Sequence, residues 1–237
     1  MLSFIVPAHN EEQLLGRTLV AIHAAARASG ESYEIIVADD ASTDSTSAIA
    51  RAHGANVVSV SHRQIAATRN AGARMARGEL FFFVDADTVV TPAAVRAAVR
   101  AMRGGSVGGG CIFRFDCEIP PYARFLLAFG SAMGRRLRLV GGCCLFCTRK
   151  AFIAVGGFCE RYYAAEEIAF VRDLKRQGRV VVPRPTVVTS GRKLGLLTFR
   201  QLLALLARVA IGGPQSFQRR EGLDLWYGQR RTAPSGK

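Results

Sequence analysis

Residues 80–87, with the sequence LFFFVDAD, decide the fold class of this 237-residue chain. Five consecutive apolar residues indicate a strand that is buried on both faces, and Asp85 and Asp87 follow it at once. Thr91 and Pro92 are typical of the N-cap and the first residue of a helix. The stretch therefore predicts a central strand with two carboxylates at its carboxyl end.

Toward the N-terminus, apolar runs alternate with helical patterns. Strands are expected at residues 2–6, 33–38 and 57–60, and the intervening helices end at Gly30, Gly54 and Gly78. Asn10 is expected to cap the first helix, with Glu11 and Glu12 in its first turn. This βαβα order predicts a parallel sheet with ligands outside the carboxyl ends of its strands. Polar clusters lie at three of those ends: His9-Asn10-Glu11, Asp39-Asp40 and Asp85-Ala86-Asp87.

The second half of the chain has a less regular pattern. Strands are expected at residues 106–115, 142–147 and 180–188, and helices at residues 120–139, 166–177 and 196–211. In the last helix, Arg200, Gln201 and Arg208 fall within about one third of the circumference, and the rest is almost entirely apolar. This pattern fits peripheral binding to an anionic membrane surface, with Arg192-Lys193 and Arg219-Arg220 adding attraction. Packing on the protein's own core or in a dimer stays open.

Composition and charge limit the classes of protein to which this chain can belong. Hydrophobic residues make up 49% and charged residues 21%, which is enough for a full core. Lys and Arg number 32 against 18 Asp and Glu, so the net charge of +14 favours an anionic partner such as a nucleotide, a lipid surface or a nucleic acid. The N-terminus lacks the basic and apolar regions of a signal peptide, and no uncharged run is long enough to span a bilayer. A cytoplasmic location is therefore expected.

Two cysteines, Cys144 and Cys147, have the spacing of half a zinc site. No second pair has matching spacing, and the flanking residues are apolar. We therefore expect these cysteines to be buried and to act as small hydrophobic residues, and all six cysteines to be reduced.

The pairs of carboxylates are the candidate functional groups, although each pair also has an ordinary structural explanation. Asp85 and Asp87 can together hold a hard divalent cation, Mn²⁺ or Mg²⁺, that also binds a diphosphate. Isolated from the strand, the same sequence would be an acidic turn before a helix. Asp39 and Asp40 can accept hydrogen bonds from a base or a ribose, or can cap a turn and a helix. Glu166 and Glu167 stand at a helix start, where the dipole favours carboxylates in any case.

Five motifs in one order resemble the family-two inverting glycosyltransferases with the GT-A fold. They are FIVPAHNEE at residues 4–12, ADDASTD at 38–44, RNAG at 69–72, VDAD at 84–87, and GGF at 156–158 followed by Glu166-Glu167. The resemblance covers roughly residues 2–180. It implies a Rossmann-like, mostly parallel sheet flanked by helices, to which the pattern above adds a C-terminal amphipathic helix.

The resemblance also implies residue roles. Residues expected to bind the nucleotide-sugar are Pro7, Ala8, Asn10, Glu11, Asp39, Asp40, Arg69 and Asp85. Asp85 and Asp87 would hold the metal, with Asp87 the more direct ligand. Glu167 matches the position of the family's catalytic aspartate, and Glu166 precedes it. Because glutamate replaces that aspartate, and Ala169 stands where a further aspartate is common, either glutamate can be the base.

We therefore expect a glycosyltransferase that uses a nucleotide-diphosphate sugar and a divalent metal, with an acceptor that the sequence does not identify. Residues 1–103 would bind the donor, residues 104–190 the acceptor, and residues 191–237 would form a basic helical segment. A sugar-nucleotide pyrophosphorylase is disfavoured because the acidic loop after the first strand has no glycine. The missing G-x-G-x-x-G excludes a dinucleotide dehydrogenase. A basic module without catalysis fits the charge but not the acidic strand ends, and no nucleic acid is expected as partner.

Overall fold

A computed structural model describes residues 1–118 and 142–192, with four isolated positions between them, 133, 134, 136 and 138. Apart from those four positions, the helix expected at residues 120–139 lies outside the described residues. The helix expected at residues 196–211 and most of the segment expected to bind a membrane also lie outside them. None of the described helices combines the length and the apolar character that crossing a bilayer requires.

A seven-stranded sheet forms the centre of the described chain. Its strands, in spatial order, are β3 (Asn56–Val60), β2 (Tyr33–Asp40), β1 (Leu2–Ala8), β4 (Leu80–Val84), β8 (Cys144–Thr148), β6 (Gly108–Gly110) and β9 (Val180–Val181). The four strands from the first half are mutually parallel, β8 runs antiparallel to β4 and β6, and β9 is parallel to β6. The predicted mostly parallel sheet is confirmed.

Helices cover both faces of this sheet. They are α1 (Leu15–Ser29), α2 (Thr46–Ala52), α3 (Ile65–Met75), α4 (Pro92–Arg103), α5 (Arg149–Ala154) and α6 (Glu166–Gln177). Apolar residues of α1 and α4 pack with Phe82 and Val84 on one face, and those of α3, α5 and α6 pack with Phe81 and Phe83 on the other. This alternation explains why residues 80–84 are apolar without interruption, since side chains of a strand point to both faces in turn.

A second sheet of three strands lies at the carboxyl end of β4. It consists of β5 (Thr88–Val89), β10 (Val187–Thr189) and β7 (Phe113–Phe115), in that spatial order. The strand expected over residues 106–115 is therefore two strands, because the chain leaves the large sheet after Gly110 and pairs with β10 from Phe113 onward. This small sheet brings Thr189 beside Thr88, next to the Asp85-Ala86-Asp87 turn.

The predicted capping of α1 by Asn10 is wrong. The helix begins at Leu15, and no side chain caps it. Asn10 has a φ of 50°, and its side-chain oxygen accepts a hydrogen bond from the backbone N–H of Thr43 at 2.8 Å. The Asn10 side chain therefore links the loop after β1 to the loop after β2 and does not cap a helix. The predicted N-cap of α4 is confirmed, because Thr91 Oγ1 accepts from the N–H of Ala94 at 3.2 Å.

Helix α3 lies unusually close to the sheet at Gly72. A Cβ atom at this position would lie 2.6 Å from Ile5 Cγ2, which is too short for a contact between carbon atoms. Glycine therefore allows the approach that brings the preceding turn of α3, with Arg69 and Asn70, under the carboxyl ends of the strands.

Cys144 and Cys147 are both buried in β8, as predicted for small hydrophobic residues. Cys144 packs in the core on one face of the sheet and Cys147 in the core on the other. Because their thiols point to opposite faces, these two cysteines cannot share a zinc ion in this geometry.

Candidate active site

Hydrogen bonds join the loop after β1 to the loop after β2 at one edge of the sheet. Pro7 and Ala8 are buried at the end of β1, where Ala8 lies beside Asp39. The N–H of Asn10 donates to Ser42 Oγ at 2.9 Å, and the N–H of Glu11 donates to Thr46 Oγ1 at 2.7 Å. The residues predicted to line a nucleotide pocket at this edge are therefore neighbours.

Asp39 and Asp40 are both buried and hydrogen-bonded within the protein. Asp39 accepts from the N–H of Ser42 at 3.1 Å and from the hydroxyl of Ser47. Asp40 accepts four hydrogen bonds, from the backbone N–H groups of residues 62, 63 and 64 and from Thr68 Oγ1, at 2.7, 2.8, 3.2 and 2.8 Å. Asp40 thus fixes the start of α3, and its predicted contact with a base stays a prediction.

Arg69 lies at the centre of a buried cluster that we call the Arg69 cluster: Arg69, Asp85, Gly142 and Glu166. Its Nη1 donates to Glu166 Oε1 at 2.6 Å, and its Nη2 donates to Asp85 Oδ1 at 2.8 Å and to the carbonyl oxygen of Gly142 at 3.0 Å. The Arg69 side chain is 1% exposed. The cluster links the carboxyl end of β4 to the start of α6.

The charges in the Arg69 cluster affect one another. Burial by itself lowers the pKa of Arg69, but the carboxylates of Asp85, Glu166 and Glu167 raise this pKa above its ordinary value. Burial and the neighbouring Glu167 carboxylate raise the pKa of Glu166 to about 8, against the lowering effect of Arg69. Arg69 is thus a permanent cation, and Glu166 holds its proton more firmly than an exposed glutamate does.

The two glutamates at the start of α6 occupy different surroundings. Glu166 is buried against Arg69, whereas Glu167 is partly exposed. Glu167 lies against Gly142, where an added Cβ would be 3.3 Å from the Glu167 carboxyl carbon. Ala165, immediately before them, has a φ of 59°, so a left-handed residue sets the direction in which the helix starts. The sequence predicted this helix start but gave no signal for the contact with Gly142.

Asn70 holds the loop that leads to these glutamates. Its side chain donates to the carbonyl oxygen of Phe158 and accepts from the N–H of Phe158, both at 2.9 Å. A Cβ at Gly157, which has a φ of 77°, would lie 2.7 Å from Asn70 Oδ1. The contacts of Arg69 with Gly142 and Glu166, and those of Asn70 with Phe158, connect the two halves of the chain. The nucleotide contact expected for Arg69-Asn70 stays a prediction.

The opposite side of the Asp85-Ala86-Asp87 turn forms what we call the Arg192 cluster: Arg192, Glu11 and Asp87. Arg192 Nη2 donates to both carboxylate oxygens of Glu11, at 2.6 Å to Oε1, and lies 3.5 Å from Asp87 Oδ2. The hydroxyl of Thr189 lies 3.4 Å from Asp87 Oδ1. The sequence indicates Arg192 only as a source of attraction to a membrane, since 181 residues separate it from Glu11.

Asp85 and Asp87 can be tested as ligands of the implied divalent metal. Carboxylate oxygens suit Mg²⁺ and Mn²⁺, and magnesium sites often use one or two carboxylates plus substrate phosphates. No group of three or more His, Cys, Asp or Glu side chains forms a metal site among the described residues. Asp85 directs Oδ1 to Arg69, while 27% of its side chain is exposed. Two carboxylates of this kind are chemically compatible with a cation that is shared with a diphosphate, and the metal role of Asp85 and Asp87 stays a prediction.

Curated proteins with similar sequences are sugar transferases by name. Validoxylamine A glucosyltransferase from Streptomyces hygroscopicus subsp. limoneus is 31% identical over 130 residues, which is 51% of this chain and 28% of that protein. Undecaprenyl-phosphate 4-deoxy-4-formamido-L-arabinose transferase from Pseudomonas paraeruginosa is 35% identical over 118 residues, 46% of this chain and 34% of that protein. The chain thus matches only about a third of the length of these relatives.

A solved structure shares the fold. The mannosyltransferase from Pyrobaculum calidifontis, in complex with GDP-Man and Mn²⁺, superposes with a TM-score of 0.64 at 21% sequence identity. The match covers 87% of this chain and 64% of that one, which confirms the predicted GT-A fold.

The model of the glycosyl transferase family 2 matches residues 3–151. These residues contain β1 to β4, the Asp85-Ala86-Asp87 turn and Gly142. They make up more than half of the chain, and they carry four of the five motifs on which the resemblance rests. The chain belongs to glycosyl transferase family 2.

Proposed function

We propose that this protein transfers a sugar from a nucleotide-diphosphate sugar to an acceptor hydroxyl, with inversion at the anomeric carbon and with the help of Mn²⁺ or Mg²⁺. The observation that carries the proposal is the Arg69 cluster. One buried guanidinium contacts Asp85 at 2.8 Å and Glu166 at 2.6 Å, so the metal motif and the start of α6 are fixed relative to each other. An inverting transfer requires the leaving group and the base to face opposite sides of the sugar, and a fixed spacing between the two segments is compatible with that requirement.

The donor would bind at the edge formed by the loops after β1, β2 and β4. Parallel α/β sheets bind ligands at the carboxyl ends of their strands, and the net charge of +14 favours an anionic substrate. A divalent metal held by Asp87, with Asp85 beside it, would stabilise the negative charge of the departing diphosphate as a Lewis acid. The mannosyltransferase similar in fold was solved with GDP-Man and Mn²⁺.

Glu167 is the general base in this proposal. Glu166 already accepts a hydrogen bond from Arg69, and its raised pKa of about 8 reflects burial and the charge of Glu167. Glu167 is the more exposed of the two. It would take the proton of the acceptor hydroxyl while the acceptor oxygen bonds to the anomeric carbon. The bond between that carbon and the diphosphate oxygen breaks in the same step, and its electron pair leaves with the diphosphate.

A thermal-shift screen tests donor and metal together. UDP, GDP, dTDP and CDP sugars would be compared with and without Mn²⁺ or Mg²⁺, because specific binding to the folded state raises the melting temperature. We expect one nucleotide to give a shift that depends on the metal. Asp87→Asn should abolish the metal-dependent part while leaving the melting temperature without ligand unchanged. A metal-dependent shift that survives in Asp87→Asn would refute the metal assignment.

Turnover of the two glutamate variants tests the base. Glu167→Gln should reduce turnover by about 10²–10⁴-fold, the usual contribution of a positioned general base, with little change in donor affinity. Glu166→Gln is the matched control and should cost less, because glutamine can still accept from Arg69. If Glu166→Gln is the inactive variant and Glu167→Gln is not, the two roles are exchanged.

A further inference from the structure

Arg192 carries a positive charge into the site where the proposed function places a metal. Its side chain is 31% exposed, while the side chains of its partners Glu11 and Asp87 are 6% and 7% exposed. The contact with Glu11 is bidentate on the carboxylate, and the contact with Asp87 is longer, at 3.5 Å. Arg192 is therefore anchored at Glu11 and only approaches Asp87.

In the protein without a metal, the guanidinium of Arg192 offsets the negative charges of Glu11 and Asp87. Glu11 and Asp87 are both nearly buried, and burying two carboxylates close together is costly. One guanidinium between them removes part of this cost. In the metal-free protein, Asp87 is therefore paired with a cation that the chain itself supplies.

The same placement opposes a divalent cation. A metal bound to Asp87 lies about 2.0–2.6 Å from a carboxylate oxygen, and Arg192 Nη2 lies 3.5 Å from Oδ2 of that carboxylate. Two cations would then stand within a few ångströms of each other and repel. A bound diphosphate changes the balance, since its oxygens accept hydrogen bonds from a guanidinium and also bind the metal.

We propose that Arg192 is a movable second cation of the donor site. Without nucleotide it pairs with Asp87 and weakens metal binding. With nucleotide and metal it leaves Asp87, remains anchored by Glu11, and donates to the diphosphate. Arg192 thereby makes the binding of metal and diphosphate mutually dependent, so that neither binds tightly alone. The inference rests on the proposed metal role of Asp87.

Two binding measurements on Arg192→Gln test the inference, because the expected changes have opposite signs. Mn²⁺ alone, measured by electron paramagnetic resonance of the free ion, should bind at least about fivefold more tightly than to the wild type, a typical size for coupling between sites. Pyrophosphate in the presence of saturating Mn²⁺, measured by calorimetry, should bind at least about fivefold more weakly. Pyrophosphate replaces the nucleotide as the probe because it does not depend on the base.

Matched variants separate this effect from a change of net charge. Arg103→Gln removes one positive charge from an arginine that is 48% exposed and pairs with Glu31 and Glu79, away from the site. It should leave both affinities unchanged. Arg192→Lys keeps the positive charge, so its affinities for Mn²⁺ alone and for pyrophosphate with Mn²⁺ should resemble those of the wild type. Glu11→Gln weakens the ion pair that anchors Arg192 and should therefore weaken pyrophosphate binding. This second variant keeps the inference testable if Arg192→Gln does not fold.

Each outcome decides between the inference and its basis. If Arg192→Gln binds Mn²⁺ alone with unchanged or lower affinity, or if both ligands weaken together, Arg192 is a structural residue and the inference is wrong. If Asp87→Asn binds Mn²⁺ as tightly as the wild type, the metal assignment under the proposed function is wrong instead.

Discussion

The protein places an arginine between two carboxylates on each side of the Asp85-Ala86-Asp87 turn, and the two arginines differ in burial. Arg69 is 1% exposed and makes hydrogen bonds of 2.6–3.0 Å to two carboxylates and a carbonyl. Arg192 is 31% exposed and lies 3.5 Å from Asp87. At this turn, Asp85 is therefore held by a fully buried arginine, whereas Asp87 has a longer contact with a partly exposed arginine.

Burial explains this difference. A guanidinium that leaves a fully buried position gives up hydrogen bonds that water cannot replace, and such a loss is strongly destabilising. A guanidinium that already contacts water loses less when it moves, since exposed ion pairs contribute little to stability. The difference in burial therefore supports a structural role for Arg69 and the ligand-dependent role that we propose for Arg192.

The largest effect is expected from removing the fixed arginine. Arg69→Met should lower the free energy of unfolding by about 3–5 kcal/mol, because it removes a fully buried guanidinium from the buried Glu166 and from the partly exposed Asp85. Arg192→Met should cost less, about 1–2 kcal/mol, because Arg192 is itself 31% exposed and water weakens its ion pairs. Urea denaturation of both variants measures the difference.

Addition of Mn²⁺ sharpens this contrast. The metal should restore stability to Arg192→Met, where it can replace the lost charge beside Asp87, and should not restore Arg69→Met. Equal losses of stability in the two variants, or rescue of Arg69→Met by Mn²⁺, would show that burial does not separate the two clusters.

Asp40 offers an intermediate effect at the same edge of the sheet. Because its carboxylate accepts three backbone N–H groups and a hydroxyl at the start of α3, Asp40→Ala should reduce the free energy of unfolding by about 2 kcal/mol. Urea denaturation and nucleotide titration would be carried out on the same variant. Unchanged stability together with lost nucleotide binding would instead support the base contact implied by the family.

The smallest effect concerns the proton on Glu166. Its folded pKa of about 8 lies above the ordinary value of 4.5, so the folded state binds this proton more tightly. The resulting stabilisation is complete below the ordinary pKa and is lost as the pH rises through the folded pKa. Between about pH 5 and about pH 9, the melting temperature of the wild type should fall further than that of Glu166→Gln. The opposite trend would mean that pairing with Arg69 keeps Glu166 ionised throughout.

The sequence predicted those parts of the molecule that local patterns determine. The apolar run at residues 80–84, the cap at Thr91 and the helix start at Glu166 need only neighbouring residues, and the structure contains all three. Asn10 was misassigned as a helix cap because its partner, Thr43, lies 33 residues away. The contacts of Arg192 with Glu11 and of Gly142 with Glu167 depend on chain crossings that carry no local signal.

The Arg69 cluster has a consequence for the order in which the protein folds. Arg69 reaches Asp85 across 16 residues of chain, but Gly142 across 73 and Glu166 across 97. Until β8 and α6 arrive, the first half of the chain would bury this arginine with only part of its partners. We therefore expect the first half to be incompletely stable as an isolated fragment and to complete its folding only after the second half has been synthesised. Pulse proteolysis of chains arrested at increasing lengths would reveal a late gain of protection once residue 166 can dock.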